Sequence, residues 1–412
     1  MQAGVVIVGS GQGGFQVAAS LRDEAYAGAI TLIGDEPGLP YQRPPLSKAY
    51  LAGKAQPGQV ELRPVAFYAE RDIDVIAPER VVGIDRAARR VTLASGKTLP
   101  YEHLVLATGA RARMPVIAGA ELTGIVALRT RADADGLLAY LQQARRVVIV
   151  GAGFIGLEVA VVARQMGLDV RILEFADRVL KRAVSAESAA FLAQAQVERG
   201  VQISLLTGAT AYSGSDGRVT GVLTTQGETV PADLVVVGIG VDPNVDLARD
   251  AGLAVQDGIV VDQRLLTADS AISAIGDCAR FPAAYADCAL RLESVQNSVD
   301  QARCVAARLS GKPEAYVKVP WFWSDQGPNR LQIAGVASVD DSVVLRGDPA
   351  IGKFSVFRFR AGRLSAVESI NSAGDHMAAR KLLANQTSIS PNQAADCSLK
   401  LTALAVAPVI AP

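Results

Sequence analysis

The sequence predicts an α/β protein with two Rossmann-like dinucleotide-binding domains and an α+β C-terminal domain. A buried apolar strand, a glycine-rich turn and an amphipathic helix follow one another twice, first from Gly4 and again from Arg146. The two copies are far enough apart for each to build its own βαβ sheet. From about residue 314 the pattern changes to short strands such as KFSVFRFR, followed by a helix, DHMAARKLLA.

The size and composition of the chain indicate a multidomain globular protein. At 412 residues it is too long for one compact core and suits two or three domains. Half of the residues are hydrophobic and 20% are charged, which excludes a disordered or fibrous chain. Lys plus Arg and Asp plus Glu both number 41, so the net charge is zero and points to neither a nucleic acid nor a membrane as partner.

The first glycine turn has the spacing of a dinucleotide-binding loop. In GVVIVGSGQGGFQVAASL an apolar strand leads to Gly9-x-Gly11-x-x-Gly14. The first glycine permits a tight turn, the second lets the backbone approach a pyrophosphate, and the third lets helix pack on strand. Asp35 follows the next strand, AITLIG, and could bond a ribose hydroxyl. The helix after the turn carries three apolar residues, Phe15, Ala18 and Leu21.

The second glycine turn repeats this design in RVVIVGAGFIGLE, as Gly151-x-Gly153-x-x-Gly156. The acid of this copy is Glu174, which follows the strand DVRIL. One such turn is a weak signal, because glycine turns between strand and helix also occur without a ligand, but two copies with downstream acids favour two nucleotides. The helix after this turn is predicted to carry four apolar residues on one face, Ile155, Val159, Val162 and Met166.

Two further segments indicate which nucleotides are bound. Ala107-Thr108-Gly109 ends one apolar strand, and Gly276-Asp277 ends another. With both glycine turns, these segments resemble the FAD-dependent pyridine-nucleotide reductases of the glutathione reductase type. In that family the NAD domain is inserted into the FAD domain, and the resemblance implies the same arrangement here.

Four longer segments narrow the resemblance: YQRPPLSKAYL (41–51), LRTRADAD (128–135), ESVQNSVDQA (293–302) and PWFWSDQ (320–326). They resemble the ferredoxin reductases of oxygenase systems, the putidaredoxin-reductase-like branch, and the similarity spans nearly the whole chain. The resemblance implies an FAD flavoprotein that takes hydride from NADH. It further implies two single-electron transfers to a [2Fe-2S] ferredoxin, which supplies a cytochrome P-450 type or Rieske-type oxygenase.

Lys48 and Glu158 are the two catalytic candidates that the resemblance implies. Pro44 and Pro45 stiffen the loop before Lys48, and the family places this lysine at the flavin N5 and O4 edge. Glu158 is implied to lie beside the nicotinamide and to pair with Lys48. Without that context Lys48 is a solvated surface lysine, and Glu158 is an acid favoured in the first turn of a helix by the helix dipole.

The resemblance also implies contacts around the cofactors. Asp277 holds the ribitol, Arg129 the phosphates and Val295 the flavin ring, although an N-cap also explains Asp277. Trp323 lies near the flavin on the side that a ferredoxin approaches, and Arg303 is either a contact for an acidic partner or a solvated helix arginine. The full set of candidate cofactor contacts is Gly9, Gly11, Gly14, Asp35, Arg43, Lys48, Val81, Ala107, Thr108, Gly109, Arg129, Gly151, Gly153, Phe154, Ile155, Gly156, Glu158, Glu174, Asp277, Val295 and Trp323.

Glu174 favours NADH over NADPH as the coenzyme. A carboxylate accepts both hydroxyls of the adenosine ribose and repels a 2′-phosphate. Arg171 and Arg178 lie close in sequence and are the residues that could hold such a phosphate.

The cysteines limit how electrons leave the flavin. Disulfide reductases and peroxidases need cysteine close after the first βαβ unit, whereas the first cysteine here is Cys278, interpreted as a small buried residue. The remaining route is outer-sphere transfer to a one-electron carrier. Two alternatives stay open: a rubredoxin reductase, and a binding flavoprotein like the apoptosis-inducing factors.

The predicted organisation places the FAD-binding domain in residues 1–112 and 242–313, the NAD-binding domain in 113–241 and a C-terminal interface domain in 314–412. The chain enters its first strand without a secretion signal, so a cytoplasmic protein is expected. The tail LTALAVAPVIAP is predicted to be an ordered edge or a frayed terminus. No metal site is expected, because neither His103 nor His376 has the neighbours of a ligand set.

Overall fold

A computed structural model describes residues 3–286 and 288–404. The chain forms two compact units. The first consists of Met1–Gln42, Pro57–Arg111 and Asp242–Pro320, and the second of Arg43–Gln56, Ala112–Val241 and Trp321–Pro412. Most of the predicted tail, from residue 405 on, lies outside the described residues.

The elements of the two glycine-turn regions follow the chain from residue 4 to residue 237. The first region contains β1 (Gly4–Val8), α1 (Gln12–Asp23), β2 (Ala29–Ile33), α2 (Pro57–Val60), α3 (Val65–Glu70), β3 (Ile73–Ile76), β4 (Val81–Asp85), β5 (Arg90–Leu93), β6 (Thr98–Pro100), β7 (His103–Leu106) and β8 (Ala110–Ala112), with a 3₁₀ turn at Pro44–Ser47. The second contains β9 (Ile125–Ala127), α4 (Arg131–Leu141), β10 (Arg146–Val150), α5 (Phe154–Gln165), β11 (Asp169–Leu173), α6 (Ala186–Glu198), β12 (Gln202–Ser204), β13 (Ala209–Ser215), β14 (Arg218–Thr224), β15 (Thr229–Pro231) and β16 (Leu234–Val237).

The remaining elements run from residue 241 to residue 404. They begin with β17 (Val241–Pro243), α7 (Asp246–Asp250), β18 (Ile259–Val260), β19 (Ile272–Ala274), a 3₁₀ turn at Gly276–Cys278, β20 (Ala279–Pro282), β21 (Ala289–Leu290) and α8 (Val295–Leu309). They end with β22 (Trp321–Gln326), β23 (Asn329–Gly335), β24 (Ser342–Asp348), β25 (Lys353–Arg360), β26 (Arg363–Ile370), α9 (Ala373–Ala384), α10 (Pro391–Ala395) and α11 (Leu401–Leu404), with a 3₁₀ turn at Pro349–Ile351.

The first unit is built on a parallel sheet of order β19-β7-β1-β2-β3. Its central strand β1 is buried along its whole length, as the apolar run GVVIV requires of a strand covered on both faces. Helices α1 and α8 pack against each other in this unit. A small antiparallel sheet, β4-β5-β6, completes the segment before β7.

The dinucleotide segment of the second unit repeats this sheet with the order β12-β11-β10-β16-β9, again parallel. Helix α5 follows β10, and Val159 and Val162 on its predicted apolar face are buried. The prediction fails at both ends of that face, because Ile155 is 40% exposed and Met166 is 37% exposed. Ile155 is the second residue of α5 and Met166 is its C-cap, so both exposed residues lie at the ends of the helix.

The C-terminal part of the second unit is an antiparallel sheet of order β22-β23-β26-β25-β24, on which α9 packs. The predicted strand KFSVFRFR is β25, and the predicted helix DHMAARKLLA lies within α9. Buried Glu368 on β26 accepts hydrogen bonds from the backbone N–H of Ser185, at 2.9 Å, and from Arg358, at 3.1 Å. Because Ser185 caps α6, this carboxylate joins the C-terminal sheet to the dinucleotide segment.

The predicted fold class is confirmed: two Rossmann-like sheets and an α+β C-terminal part are present. The predicted boundaries of the four segments stay a prediction, and Arg43–Gln56 folds with the second unit. Within residues 3–286 and 288–404, no helix combines the length and the apolar character needed to cross a bilayer.

Candidate active site

In the first glycine turn, only the second of the three glycines has free space where a side chain would lie. Gly9 has φ +108°, and a Cβ on it would overlap the carbonyl oxygen of Ala107, just as a Cβ on Gly14 would overlap the carbonyl oxygen of Gly9. Gly11 is the N-cap of α1, and a Cβ there would find no heavy atom of the described chain within 4 Å. The first and third glycines are therefore required by the fold, whereas the second leaves room for a diphosphate at the N-terminus of α1.

Two strand ends of the first unit carry further candidates. The hydroxyl of Thr108 donates to the carbonyl of Asn244 at 2.7 Å, and the Asn244 amide donates back to the carbonyl of Thr108 at 2.9 Å. Asp277 is half-buried in the 3₁₀ turn that follows β19. The N-cap alternative for Asp277 is wrong, because Ile275 occupies the N-cap and strand β20 follows the turn.

The other candidates of the first unit lie in separate environments. Val81 is buried at the start of β4, and Val295 is the half-buried first residue of α8. Asp35 is exposed, two residues beyond the end of β2. Arg303 is 62% exposed on α8 and pairs with Asp300 at 3.3 Å.

The second glycine turn repeats the geometry of the first within the second unit. Gly151 has φ +101°, and a Cβ on Gly156 would overlap the carbonyl oxygen of Gly151. A Cβ on Gly153, the N-cap of α5, would lie 3.6 Å from the carbonyl oxygen of Gly238, an ordinary contact. Both turns therefore fit a dinucleotide by the same test: a Cβ on their middle glycine would clash with no atom of the described residues, and that glycine caps the start of a 12-residue helix.

Glu174 is fixed against the second glycine turn. Its carboxylate accepts the backbone N–H of Ala152 at 2.6 Å and that of Ala176 at 2.8 Å. Arg171 is engaged elsewhere, because its guanidinium donates to both carboxylate oxygens of Glu228, at 2.6 and 2.8 Å. Arg178 donates to backbone carbonyls. The carboxylate of Glu174 therefore contacts the turn directly, whereas the two arginines are engaged with other groups.

Lys48 and Glu158 form an ion pair in the second unit. The distance from Lys48 Nζ to Glu158 Oε2 is 2.6 Å, and the two side chains are 23% and 3% exposed. Glu158 is the fifth residue of α5, which begins at Phe154, and no acid lies in the first turn of this helix. The helix dipole therefore does not explain the position of this carboxylate, and the first-turn alternative is wrong.

Besides its contacts with Glu158, the segment that carries Lys48 makes two hydrogen bonds to the rest of the second unit. The Tyr50 hydroxyl donates to Asp135 of α4 at 2.6 Å, and the Arg43 guanidinium donates to the carbonyl of Arg129 at 2.7 Å. Asp133 forms a capping box with Thr130 at the start of α4. These contacts keep Lys48 in reach of α5.

Two serines that bind Glu158 were missed in the sequence. Ser47 Oγ donates to Glu158 Oε2 at 2.5 Å, and Ser324 Oγ donates to Oε1 at 2.7 Å. Both serines are buried, and both lie inside segments already quoted for the family resemblance, YQRPPLSKAYL and PWFWSDQ. The available signal was the alternation of side chains along the strand PWFWSDQ, which puts Ser324 on the opposite face from the two tryptophans.

Trp323 is half-buried on β22 and pairs with Trp321, with ring centroids 5.6 Å apart. The guanidinium of Arg380 lies over the Trp321 ring, 4.6 Å from its centroid. On the opposite face of the strand, the Phe322 ring contacts the Phe154 ring at the start of α5, with centroids 4.5 Å apart. Strand β22 therefore has a tryptophan face and a face packed on α5.

Family models match both parts of the chain. Residues 3–302 match the model described as pyridine nucleotide-disulphide oxidoreductase. The chain belongs to the pyridine nucleotide-disulphide oxidoreductase family. Residues 321–405 match a second model, described as reductase C-terminal. The predicted resemblance is confirmed, and membership of this family implies the cofactors FAD and NAD(H).

Relatives of this oxidoreductase cover nearly its whole length. Rhodocoxin reductase of Rhodococcus erythropolis is 49% identical over 96% of this chain and 93% of its own. The crystal structure of a ferredoxin reductase for the CYP199A2 system from Rhodopseudomonas palustris has a TM-score of 0.96 at 48% identity, covering 98% of this chain and 100% of that one. The putidaredoxin reductase–putidaredoxin covalent complex has a TM-score of 0.95 at 38% identity and covers 98% of both chains.

Despite the family name, the cysteines of this oxidoreductase do not form a redox pair. All four are free thiols, and Cys278 is fully buried, which raises the pKa of its thiol. Within the described residues, no group of three or more His, Cys, Asp or Glu side chains is arranged to hold a metal. The prediction that Cys278 is a small buried residue is confirmed.

We expect thiol reagents to leave electron transfer intact. Cys288 and Cys397 are exposed and should react within minutes, whereas Cys278 should react only after denaturation because it is buried and protonated. Titration with a chromogenic disulfide counts the accessible thiols in the folded protein, and a second titration in guanidinium chloride counts the buried ones as well. Loss of NADH-dependent activity in step with the first two thiols would contradict this expectation.

Proposed function

We propose that this chain is an NADH-dependent ferredoxin reductase, that is, an NADH:ferredoxin oxidoreductase with FAD. It would supply electrons through a [2Fe-2S] ferredoxin to a cytochrome P-450 type or Rieske-type oxygenase. The observation that carries the proposal is the ion pair of half-buried Lys48 with buried Glu158, whose carboxylate is held by two hydroxyls. The three relatives named above favour it over a rubredoxin reductase or an apoptosis-inducing-factor-like flavoprotein.

FAD, when bound, would supply the chemistry of hydride acceptance from the nicotinamide and of single-electron release. For this cofactor, Gly11 keeps the backbone at the start of α1 open to the diphosphate, and Asp277 bonds a ribitol hydroxyl. The proposed FAD contacts also include Gly9, Gly14, Asp35, Arg43, Val81, Ala107, Thr108, Gly109, Arg129 and Val295.

The coenzyme contacts proposed for the second unit centre on its glycine turn. Gly153 leaves space for the NADH diphosphate at the start of α5, and Glu174 accepts the adenosine ribose hydroxyls. Lys48 would stabilise negative charge on the reduced flavin ring, and Glu158 would orient the nicotinamide and partly offset the field of the Lys48 ammonium. The remaining proposed coenzyme contacts are Gly151, Phe154, Ile155 and Gly156.

The proposed acceptor is a protein, because the described residues offer no cysteine pair to take electrons from the flavin. Trp323, half-buried beside Trp321, is the aromatic residue proposed for the acceptor side. Arg303 is the proposed contact with an acidic ferredoxin, since its side chain is 62% exposed and pairs with Asp300, a neighbour on the same helix. Both assignments rest on the resemblance to family sequences.

An anaerobic titration with NADH tests the proposal. The flavin bands of the purified protein should bleach, and a [2Fe-2S] ferredoxin added next should carry electrons to cytochrome c. Bleaching without ferredoxin-dependent transfer would favour another carrier or a binding role. A protein without a flavin spectrum after reconstitution with FAD would contradict the proposal.

We expect Glu174→Gln to lower the preference for NADH over NADPH about ten-fold. The amide loses the charge that repels a 2′-phosphate, and a hydrogen bond to a charged acceptor is stronger than one to a neutral acceptor by about 1.4 kcal/mol. The ratio of kcat/KM for the two coenzymes measures the change. Asp169→Asn is the control, because Asp169 is 85% exposed at the other end of β11. An unchanged ratio would remove Glu174 from coenzyme selection.

We also propose a cytoplasmic location. All four cysteines are free thiols, and disulfides are rare in reducing compartments. Fractionation of cells that express the tagged protein, with thiol titration of the recovered material, tests this assignment.

A further inference from the structure

Where strand β22 packs on helix α5, two residues of the strand have nearly the same separation as the two helix residues that they contact. Phe154 and Glu158 are one helical turn apart, about 6 Å along the axis. Phe322 and Ser324 point to the same face of the strand and are about 6.8 Å apart. The Phe322 ring contacts Phe154, and the Ser324 hydroxyl contacts Glu158. The strand therefore presents a hydroxyl to this carboxylate at a fixed register.

Each oxygen of the Glu158 carboxylate has its own donors. Oε2 accepts from Ser47 at 2.5 Å and from Lys48 at 2.6 Å. Oε1 accepts from Ser324 at 2.7 Å, and no other side chain of the described residues donates to it. Ser47 is 2% exposed and Ser324 is fully buried, so neither hydroxyl is available to solvent. The two serines are called the hydroxyl pair below.

We propose that the hydroxyl pair, Ser47 and Ser324, consists of positioning residues that fix the orientation of the Glu158 carboxylate. This inference rests on the proposed function, in which that carboxylate orients the nicotinamide. The hydrogen bond from Ser324 keeps Oε1 turned away from Lys48, and the hydrogen bond from Ser47 keeps Oε2 in contact with Lys48. The serines themselves exchange neither protons nor electrons, so they act on the reaction only through Glu158.

Removing one hydroxyl should change geometry and leave charge in place. A buried carboxylate oxygen without a donor is costly, so the carboxylate without Ser324 turns about its last torsion toward Lys48. The ion pair survives this rotation, because Lys48 can bind either oxygen. The expected defect is therefore a misplaced carboxylate of unchanged charge.

The test is a double-mutant cycle on the complete flavoprotein, read by stopped-flow reduction with NADH. Ser324→Ala should slow flavin reduction roughly ten-fold, the equivalent of one hydrogen bond to a charged group. In a Glu158→Gln background the same change should have less than about a two-fold effect, since the group being positioned is gone. The flavin midpoint potential should stay unchanged in Ser324→Ala, because no charge is lost.

A matched control separates positioning from stability. Ser355→Ala removes a buried hydroxyl from the same sheet, where it contacts Ser369 and Asp375 and not Glu158, and should lower Tm without slowing reduction. Ser324→Thr, which keeps the hydroxyl, should restore most of the rate. If Ser324→Ala yields no folded flavoprotein, Ser47→Ala enters the same cycle.

Two results would overturn the inference: an unchanged rate in a folded Ser324→Ala protein, or the same slowing in the Glu158→Gln background as in the parent. The parent protein is tested first with NADH and ferredoxin. Failure of the parent contradicts the proposed function and the inference together, whereas failure confined to the variants contradicts the inference alone.

Discussion

Gly11→Ala should lower the affinity for FAD about 100-fold and leave the fold intact. The added methyl group meets no heavy atom of the described residues within 4 Å, and the backbone at Gly11 has φ −72°, which any residue adopts. The same methyl group occupies the space through which the backbone approaches the diphosphate. Losing one or two charge-assisted hydrogen bonds there costs about 2.7 kcal/mol, which corresponds to the stated factor.

Titration of the apoprotein with FAD, followed by fluorescence, measures this affinity, and circular dichroism reports the fold. Gly14→Ala should damage both, because its methyl group overlaps the carbonyl oxygen of Gly9. Gly136→Ala should damage neither, since Gly136 lies in α4 with open space beside it. An unchanged FAD affinity in folded Gly11→Ala would remove this turn from the cofactor site.

Glu158→Gln should slow hydride transfer from NADH about 100-fold, the scale expected when a reacting group is misplaced by about 1 Å. Its amide oxygen can still accept from Lys48 and Ser47, and its NH₂ group can donate to Ser324, so the packing survives. The negative charge is lost, however, and Lys48 then acts on the flavin unopposed. We therefore expect the midpoint potential of the flavin to become more positive while the rate falls.

Stopped-flow reduction and a potentiometric titration measure the two quantities separately. Glu198→Gln is the charge-matched control, because Glu198 is an exposed glutamate near the end of α6. A rate within two-fold of the parent would end the assignment of a catalytic role to Glu158. A shift of the potential to more negative values would contradict the sign of the charge argument.

Both Rossmann sheets could be predicted because their central strands are continuous apolar runs that lead into glycine turns. VVIV occurs in each copy, and the helix after it shows its apolar face. The attachment of Arg43–Gln56 to the second unit could not be predicted. It depends on Tyr50 with Asp135 and on Arg43 with Arg129, which are 85 and 86 positions apart, and no local periodicity encodes such pairs.

At the site, the sequence predicted which residues take part better than it predicted their positions in helices and their hydrogen-bond partners. The pairing of Glu158 with Lys48 came from the resemblance. The alternative explanation placed Glu158 in the first turn of a helix beyond Gly156, whereas α5 begins at Phe154 and Glu158 is its fifth residue. An N-cap was an alternative explanation for Asp277 because a glycine precedes it, but a strand follows the turn. The hydroxyl pair was missed because serine is common in loops and strands and has no spacing of its own.

The interrupted path of the chain through the first unit affects synthesis on the ribosome. Strand β19 pairs with β7, yet about 165 residues, mostly of the second unit, are translated between them. At about 5 to 20 residues per second, translating this stretch takes roughly 10 to 30 s. During that interval the edge of β7 that β19 will cover has no partner, and an uncovered apolar strand edge can pair with other chains. The nascent chain is therefore most vulnerable to aggregation while its second dinucleotide segment is being made.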